Sequence, residues 1–165
     1  MKKTFLLLML VGCPMLVAQA QVPVAPNPDH EAMLQSKDLR IASNKRLVYD
    51  FWREVFEAAH MELAPRYMAE TYIQHNPMVP TGRQAFIDFF SRVRKPAPIE
   101  PRVKAPLVAI LADGDLVVMS FAREHPDPQD PSKKYTTTWF DMFRIAAGKI
   151  AEHWDPAVKP APARQ

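Results

Sequence analysis

The sequence predicts an α+β domain, helices first and a curled antiparallel sheet packed on them, from three observations. Apolar residues recur at helical spacing up to about Arg94, prolines then interrupt the chain between Lys95 and Pro106, and two β-hairpin signals follow from Leu107 onward. The 165 residues suit one domain with one core, which argues against separate cofactor and substrate lobes.

The first helix is expected from Asp38 to His60. Leu47, Val48, Phe51, Trp52, Val55, Phe56 and Ala59 share one face there, and Lys45, Arg46, Asp50, Arg53, Glu54 and Glu57 occupy the other. A shorter helix is expected over Glu62–Glu70, with Leu63, Tyr67 and Met68 inward, ending in the β-favouring run Thr71-Tyr72-Ile73. His75-Asn76-Pro77 then breaks the chain. Thr81-Gly82 starts a third helix, whose stripe of Ala85, Phe86, Phe89, Phe90 and Val93 runs to about Arg94.

Pro96, Pro98, Pro101 and Pro106 allow only a linker or edge strand over the next segment. The runs Leu107–Ala112 and Leu116–Phe121 flank Asp113-Gly114-Asp115, a hairpin signal. A polar loop covers His125–Lys134. Tyr135–Ile145 and Ile150–Trp154 around Ala146-Ala147-Gly148 make the second hairpin.

The N-terminus reads as an export signal. Lys2 and Lys3 precede the apolar run Phe5–Val11, and Ala18-Gln19-Ala20 is a cleavage site, so residues 1–20 are assigned to a signal peptide. Gly12 and Pro14 interrupt the run too early for a membrane span of about 20 residues. Leu10-Val11-Gly12-Cys13 also reads as a bacterial lipobox, in which Cys13 would be retained as a lipid anchor. Either processing route places the folded part in the periplasm or outside the cell. Residues 21–37 carry three prolines and read as a tether, residues 38–158 as the domain and residues 159–165 as a tail.

Processing after Ala20 changes the charge arithmetic. The formal +3 falls to +1 because Lys2 and Lys3 leave with no acid, and the only cysteine, Cys13, leaves with them. No basic patch interleaved with aromatics remains, so nucleic acid is not an expected partner. Disulfides, thiol catalysis and cysteine-held metals drop out for the mature chain.

The strand Tyr135–Ile145 is apolar on both faces, which calls for helices on one side and a second subunit on the other; a homodimer is expected. Within it stands Asp141, a carboxylate that is costly to bury unless paired or functional. The turn decides what it faces. A two-residue Ala147-Gly148 loop would set Asp141 opposite Trp154 and send Asp155 to the other side of the sheet. A three-residue Ala146-Ala147-Gly148 loop with Gly148 in a bulge would set Asp141 opposite His153 and Trp139 opposite Asp155. The glycine at the third loop position favours the second version. Asp141, His153 and Asp155 then share a face with Tyr135, Trp139 and Phe143, and Trp52 and Tyr72 are assigned to the same pocket.

Each of these residues also has a plain structural reading. Asp141 and His153 would simply bond each other in the core, Trp139 and Trp154 would fill it, Asp155 would cap its strand, and His75 would brace its loop.

The segments Tyr72-Ile73-Gln74-His75-Asn76-Pro77, Thr81-Gly82-Arg83-Gln84-Ala85-Phe86, Asp113-Gly114-Asp115-Leu116-Val117, Phe140-Asp141-Met142-Phe143-Arg144 and Gly148-Lys149-Ile150-Ala151-Glu152-His153-Trp154-Asp155 together resemble the SnoaL-like group of the nuclear transport factor 2-like superfamily. The resemblance spans nearly all of residues 44–156. It implies a cone-shaped α+β barrel in which three helices and a curved sheet enclose a pocket, usually in a dimer. It also implies polyketide-cyclase-like acid–base chemistry without metal or cofactor, with Asp155 as the acid/base and Asp141 at the other pocket position.

Two functions follow as expectations. The first is an exported enzyme that abstracts a proton next to a carbonyl, with Asp155 as base and His75, Asp141 and His153 orienting it or stabilising the enolate. The alternative is a non-catalytic pocket for a small apolar ligand, or a dimeric scaffold. No H-x-H or H-E-x-x-H pair supports a metal built on His75, His153, Asp141 and Asp155, so neither a metal nor a cofactor is expected.

Overall fold

The computed structural model describes residues 21–161. The expected signal peptide with Cys13, and the end of the expected tail, lie outside the described residues. No helix among the described residues is long and apolar enough to cross a membrane.

The architecture is α+β, as expected. Helices α1 (His30–Leu34), α2 (Leu39–Phe51), α3 (Ala64–Tyr67) and α4 (Arg83–Val93) pack on a five-stranded sheet of β1 (Met68–Gln74), β2 (Leu107–Asp113), β3 (Leu116–Pro126), β4 (Lys134–Ala146) and β5 (Lys149–Trp154). The strand order is β1-β5-β4-β3-β2. Four strands are antiparallel neighbours, whereas β1 runs parallel to β5, so the sheet is mixed. It curls around the helices without closing on itself.

The expected tether is part of the fold. Gln21 exchanges hydrogen bonds with the backbone of Thr136, the Val24 N–H donates to Thr136 Oγ1, and the Asn27 N–H donates to the Leu107 carbonyl. Prolines forbid a helix here but not an extended strap across a sheet. At its end Asp29 caps the single turn of α1, which buries His30 against the Tyr49 hydroxyl at 2.8 Å and Leu34 in the core. Two buried anchors four residues apart are too short a pattern for periodicity to reveal.

The helix expected over Asp38–His60 begins where Asp38 accepts from the Arg40 and Ile41 N–H groups. It stays α-helical to Phe51 and then widens into a π-helical turn over Trp52–Glu57. The second expected helix, Glu62–Glu70, is shorter: a 3₁₀ turn at Met61–Leu63 and α3 give way at Met68 to β1. Parallel pairing of Met68 with Ile150 overrides local propensity there. The third begins at Arg83, after Gly82 at a φ of 100°, a left-handed entry that favours glycine.

The last hairpin departs from the expected register. Its loop has two residues, Ala147 and Gly148, both at positive φ, and Ala146 pairs with Lys149. Ile145 then faces Ile150 and Arg144 faces Glu152, which leaves Ala151 as an extra residue in β5. Below this bulge Phe143 faces His153 and Met142 faces Trp154. Asp141 is therefore diagonal to His153 rather than opposite it, and Trp139 does not face Asp155. The bulge reverses the side-chain parity that a plain two-residue loop would impose, so Asp141, His153 and Asp155 still share one face.

Candidate active site

The shared face is the floor of a cavity of about 640 Å³ between the helices and the sheet. The widened turn after α2 brings Trp52 and Phe56 to it, and α4 brings Phe86, Phe89 and Phe90. Trp52 stacks on Phe121 of β3 at 4.6 Å, and Phe51 meets Phe143 of β4 edge-on at 6.2 Å. The walls are thus aromatic, and Asp141, His153 and Asp155 sit together at one end. A concave apolar site with a few convergent polar groups is the usual form of a small-molecule pocket.

At that end His153 and Asp141 are buried, with His153 Nε2 at 3.0 Å from Asp141 Oδ1. The other ring nitrogen, Nδ1, is 2.8 Å from Gln74 Oε1. Gln74 Oε1 also accepts the Asn76 backbone N–H at 3.0 Å, and Gln74 Nε2 donates to the Tyr72 hydroxyl at 2.9 Å. These contacts fix which end of the amide is oxygen, so His153 Nδ1 carries a proton and donates it. The contact between Nε2 and Oδ1 then holds one further proton, shared by ring and carboxyl. The second oxygen of Asp141, Oδ2, is buried without a hydrogen-bond partner among the described residues.

Asp155 is half-buried beside them. Its Oδ2 accepts from Asn76 Nδ2 at 2.7 Å, and its Oδ1 from the Ala157 N–H at 2.8 Å. Asp141, His153 and Asp155 offer donor atoms that all lie within 4.8 Å of one another. A divalent cation bound by all three would have to displace the proton between His153 and Asp141. Tyr72 lines the same end, and burial, with the Asp155 and Asp141 charges added, pushes its phenol far above the ordinary value, so it keeps its proton.

Among the expected site residues, Asp141, His153, Asp155, Trp52, Tyr72, Trp139 and Phe143 line the cavity. His75 and Tyr135 do not. His75 projects to the opposite face of the sheet, where its ring stacks on Trp154 at 5.0 Å and Nε2 meets Glu152 Oε1 at 2.7 Å. That pairing and the Arg144 guanidinium hold the Glu152 carboxyl below its ordinary value. Tyr135 shares the floor's side of β4 but stands near the strand's start, stacked on His125 at 5.1 Å beyond the cavity.

The residues missed were Gln74 and Asn76. They flank His75, and the alternation of a strand through Tyr72 puts positions 72, 74 and 76 on one side and 73 and 75 on the other. Applied from Tyr72, that period finds both. Arg123 was also missed; it lines the cavity from β3, on a strand whose expected end at Phe121 falls short of the observed Pro126.

Helices folded over a curled mixed sheet, with an aromatic pocket and a carboxylate–imidazole cluster on its floor, define an α+β pocket domain. Within that class the chain belongs to the SnoaL-like domain family, which it matches over residues 48–153. Similar solved structures include an NTF2-like protein of unknown function from Mesorhizobium loti, 19% identical, covering 76% of this chain and 98% of that one at a TM-score of 0.49. An LEH-like epoxide hydrolase of M. tuberculosis is 14% identical, covering 68% and 80% at 0.48. A candidate polyketide cyclase from Acidithiobacillus ferrooxidans is 20% identical, covering 73% and 89% at 0.48. No curated protein matches the sequence.

Proposed function

We propose that this SnoaL-like protein is an exported acid–base enzyme that acts on a small, mainly apolar carbonyl compound. The observation that carries the reading is the convergence of Asp141, His153 and Asp155 within 4.8 Å at one end of an aromatic cavity. Asp155 is the general base: it has one oxygen on Asn76 and one on the Ala157 N–H, which aim the carboxylate while leaving lone pairs free. It takes a proton from the carbon beside the carbonyl. The C–H electron pair moves into a new carbon–carbon double bond, and the carbonyl oxygen takes the proton shared by His153 and Asp141, giving a neutral enol. Return of the protons at a different carbon makes an isomerase; attack of the enol carbon on a second carbonyl makes an aldol closure.

Export is supported by the Lys2-Lys3 tip, the apolar run and the Ala-x-Ala site. Homodimer formation is supported by the sheet's outer face, where Ile73, Leu111 and Phe140 are 45%, 65% and 52% exposed.

The test is hydrogen–deuterium exchange at carbon acids over a panel of ketones and β-dicarbonyls, comparing wild type with Asp155→Asn. Loss of about a hundredfold or more in the variant is expected for removal of a general base. Equal exchange in both, with ligand still bound, would leave a binding module in place of an enzyme.

A further inference from the structure

The cavity has a second polar group, away from the acid–base cluster. Arg123 is the only lysine or arginine among its lining residues. Its guanidinium lies 3.4 Å from the centre of the Trp139 ring, and among the described residues it makes no ion pair and no hydrogen bond. Other arginines of this domain are committed within the fold: Arg46 to Glu31, Arg53 to Asp50 and Glu54, and Arg144 to Asp115 and Glu152. Stacking on Trp139 uses the flat face of the guanidinium and leaves its in-plane N–H donors, the fork that matches a carboxylate, directed outward.

The register fixes how far this fork lies from the chemistry. Met119 pairs with Asp141, Phe121 with Trp139 and Arg123 with Thr137, so all six share the pocket face of the sheet. Arg123 is four residues along β3 from Met119, a backbone separation of roughly 13 Å. Between the two ends lie the aromatic rings of Phe121 and Trp139. The cluster end carries two carboxyl groups and disfavours an anion; the Arg123 end is cationic and disfavours none.

We propose that Arg123 is a substrate-recognition residue that binds a carboxylate, so that the substrate class is an amphiphilic oxo acid: an anionic group at Arg123, an apolar spacer of about 10 Å on Trp139 and Phe121, and the reacting carbonyl at Asp155. The inference rests on the acid–base reading for the role of the far end, but anion capture by Arg123 is testable by itself.

The experiment is calorimetric titration of the purified protein with 9-oxodecanoate and with its neutral amide. These compounds share body and ketone and differ only in the charged end. The carboxylate should bind at least about tenfold more tightly, the size expected for a charge-assisted hydrogen-bonded pair, and the preference should shrink at high salt. Arg123→Gln should abolish the preference, Arg123→Lys should keep part of it, and Asp155→Asn should keep it in full. Equal affinity for the two compounds, an unchanged preference in Arg123→Gln, or binding of neither compound overturns the assignment. A preference that survives Asp155→Asn while deuterium exchange is absent in wild type would retain Arg123 as the anion site and discard the catalytic reading alone.

Discussion

His153 Nε2 lies 3.0 Å from Asp141 Oδ1, and the opposite side of the same ring determines what that contact contains. Because Nδ1 donates to Gln74 Oε1, Nε2 and Oδ1 must share a single proton. Correlation spectra of ¹⁵N-labelled protein at neutral pH should show Nδ1 of His153 protonated. Gln74→Leu should remove this preference, whereas Gln74→Asn, which shortens the side chain, should weaken it. A neutral ring whose only proton sits on Nε2 in the wild type would contradict the arrangement.

The same ring ties the pocket to the sheet. Asp141 is buried with one oxygen on His153 and the other unpartnered, so His153→Ala would leave both oxygens unsatisfied in an aromatic enclosure. A loss of about 3 kcal/mol or more is expected from urea unfolding, the cost typical of breaking a buried pair on one side. Replacing both members at once, His153→Leu with Asp141→Leu, should be less destabilising than His153→Ala alone, because no buried polar atom is then left unpaired. Exchange activity should be lost in both.

The two longer helices, both hairpins and the pocket face were legible in the sequence because each has a local cause. The stripe through Val48, Phe51, Trp52 and Val55 is a helical period, and Gly114 and Gly148 mark turns at which φ is positive. The strap over residues 21–29 was not legible, since an extended segment held by Thr136 and Leu107 depends on partners more than 75 residues away. The site was legible in part. Asp141, His153 and Asp155 were placed on one face through a three-residue loop, and the fold reaches that parity through a two-residue loop and a bulge at Ala151. Nothing in Ile150-Ala151-Glu152 marks a bulge locally; it shows only in the ladder, where Ile145 faces Ile150 and Arg144 faces Glu152.

The outer face of the sheet predicts self-association. Ile73, Leu111 and Phe140 are exposed on a face bordered by Trp154 and Met142, an apolar surface that a single chain leaves in water. Sedimentation should give a dimer, and Phe140→Glu should give a monomer with unchanged circular dichroism, because Phe140 contributes little to the chain's own core. A wild-type monomer at all concentrations would remove the dimer.

His30 makes the docking of the N-terminal strap sensitive to pH. Burial lowers its affinity for a proton below the ordinary value near 6.5, with the Arg102 charge acting in the same direction. The unfolded chain therefore takes up a proton that the folded chain resists. Stability from the neutral ring is present in full above pH 6.5 and declines as the pH falls through the lowered value. Melting temperature should drop between pH 7.5 and 5.5, and His30→Gln, which cannot titrate, should flatten that slope. An identical slope in wild type and variant would place the sensitivity elsewhere.

The bulge at Ala151 absorbs one residue, so the faces presented by the rest of β5 depend on register and not on the Ala151 side chain. Above it the β4–β5 ladder runs Ala146 to Lys149 and Ile145 to Ile150; below it the ladder runs Arg144 to Glu152 and Phe143 to His153. Deleting Ala151 would close the ladder with the same partners, Ile150 on Ile145, Glu152 on Arg144 and His153 on Phe143, so every later side chain in β5 would keep its face. Inserting one alanine between Glu152 and His153, with the bulge kept, would instead turn Trp154 toward the cavity and His153 and Asp155 toward the outer face. The insertion should therefore abolish both deuterium exchange and the His153–Asp141 proton signal, and the deletion should retain both. Ala151→Gly keeps the residue count and the bulge, so it should retain both readouts as well. Retention of exchange by the insertion variant would mean that the register of β5 does not set the site.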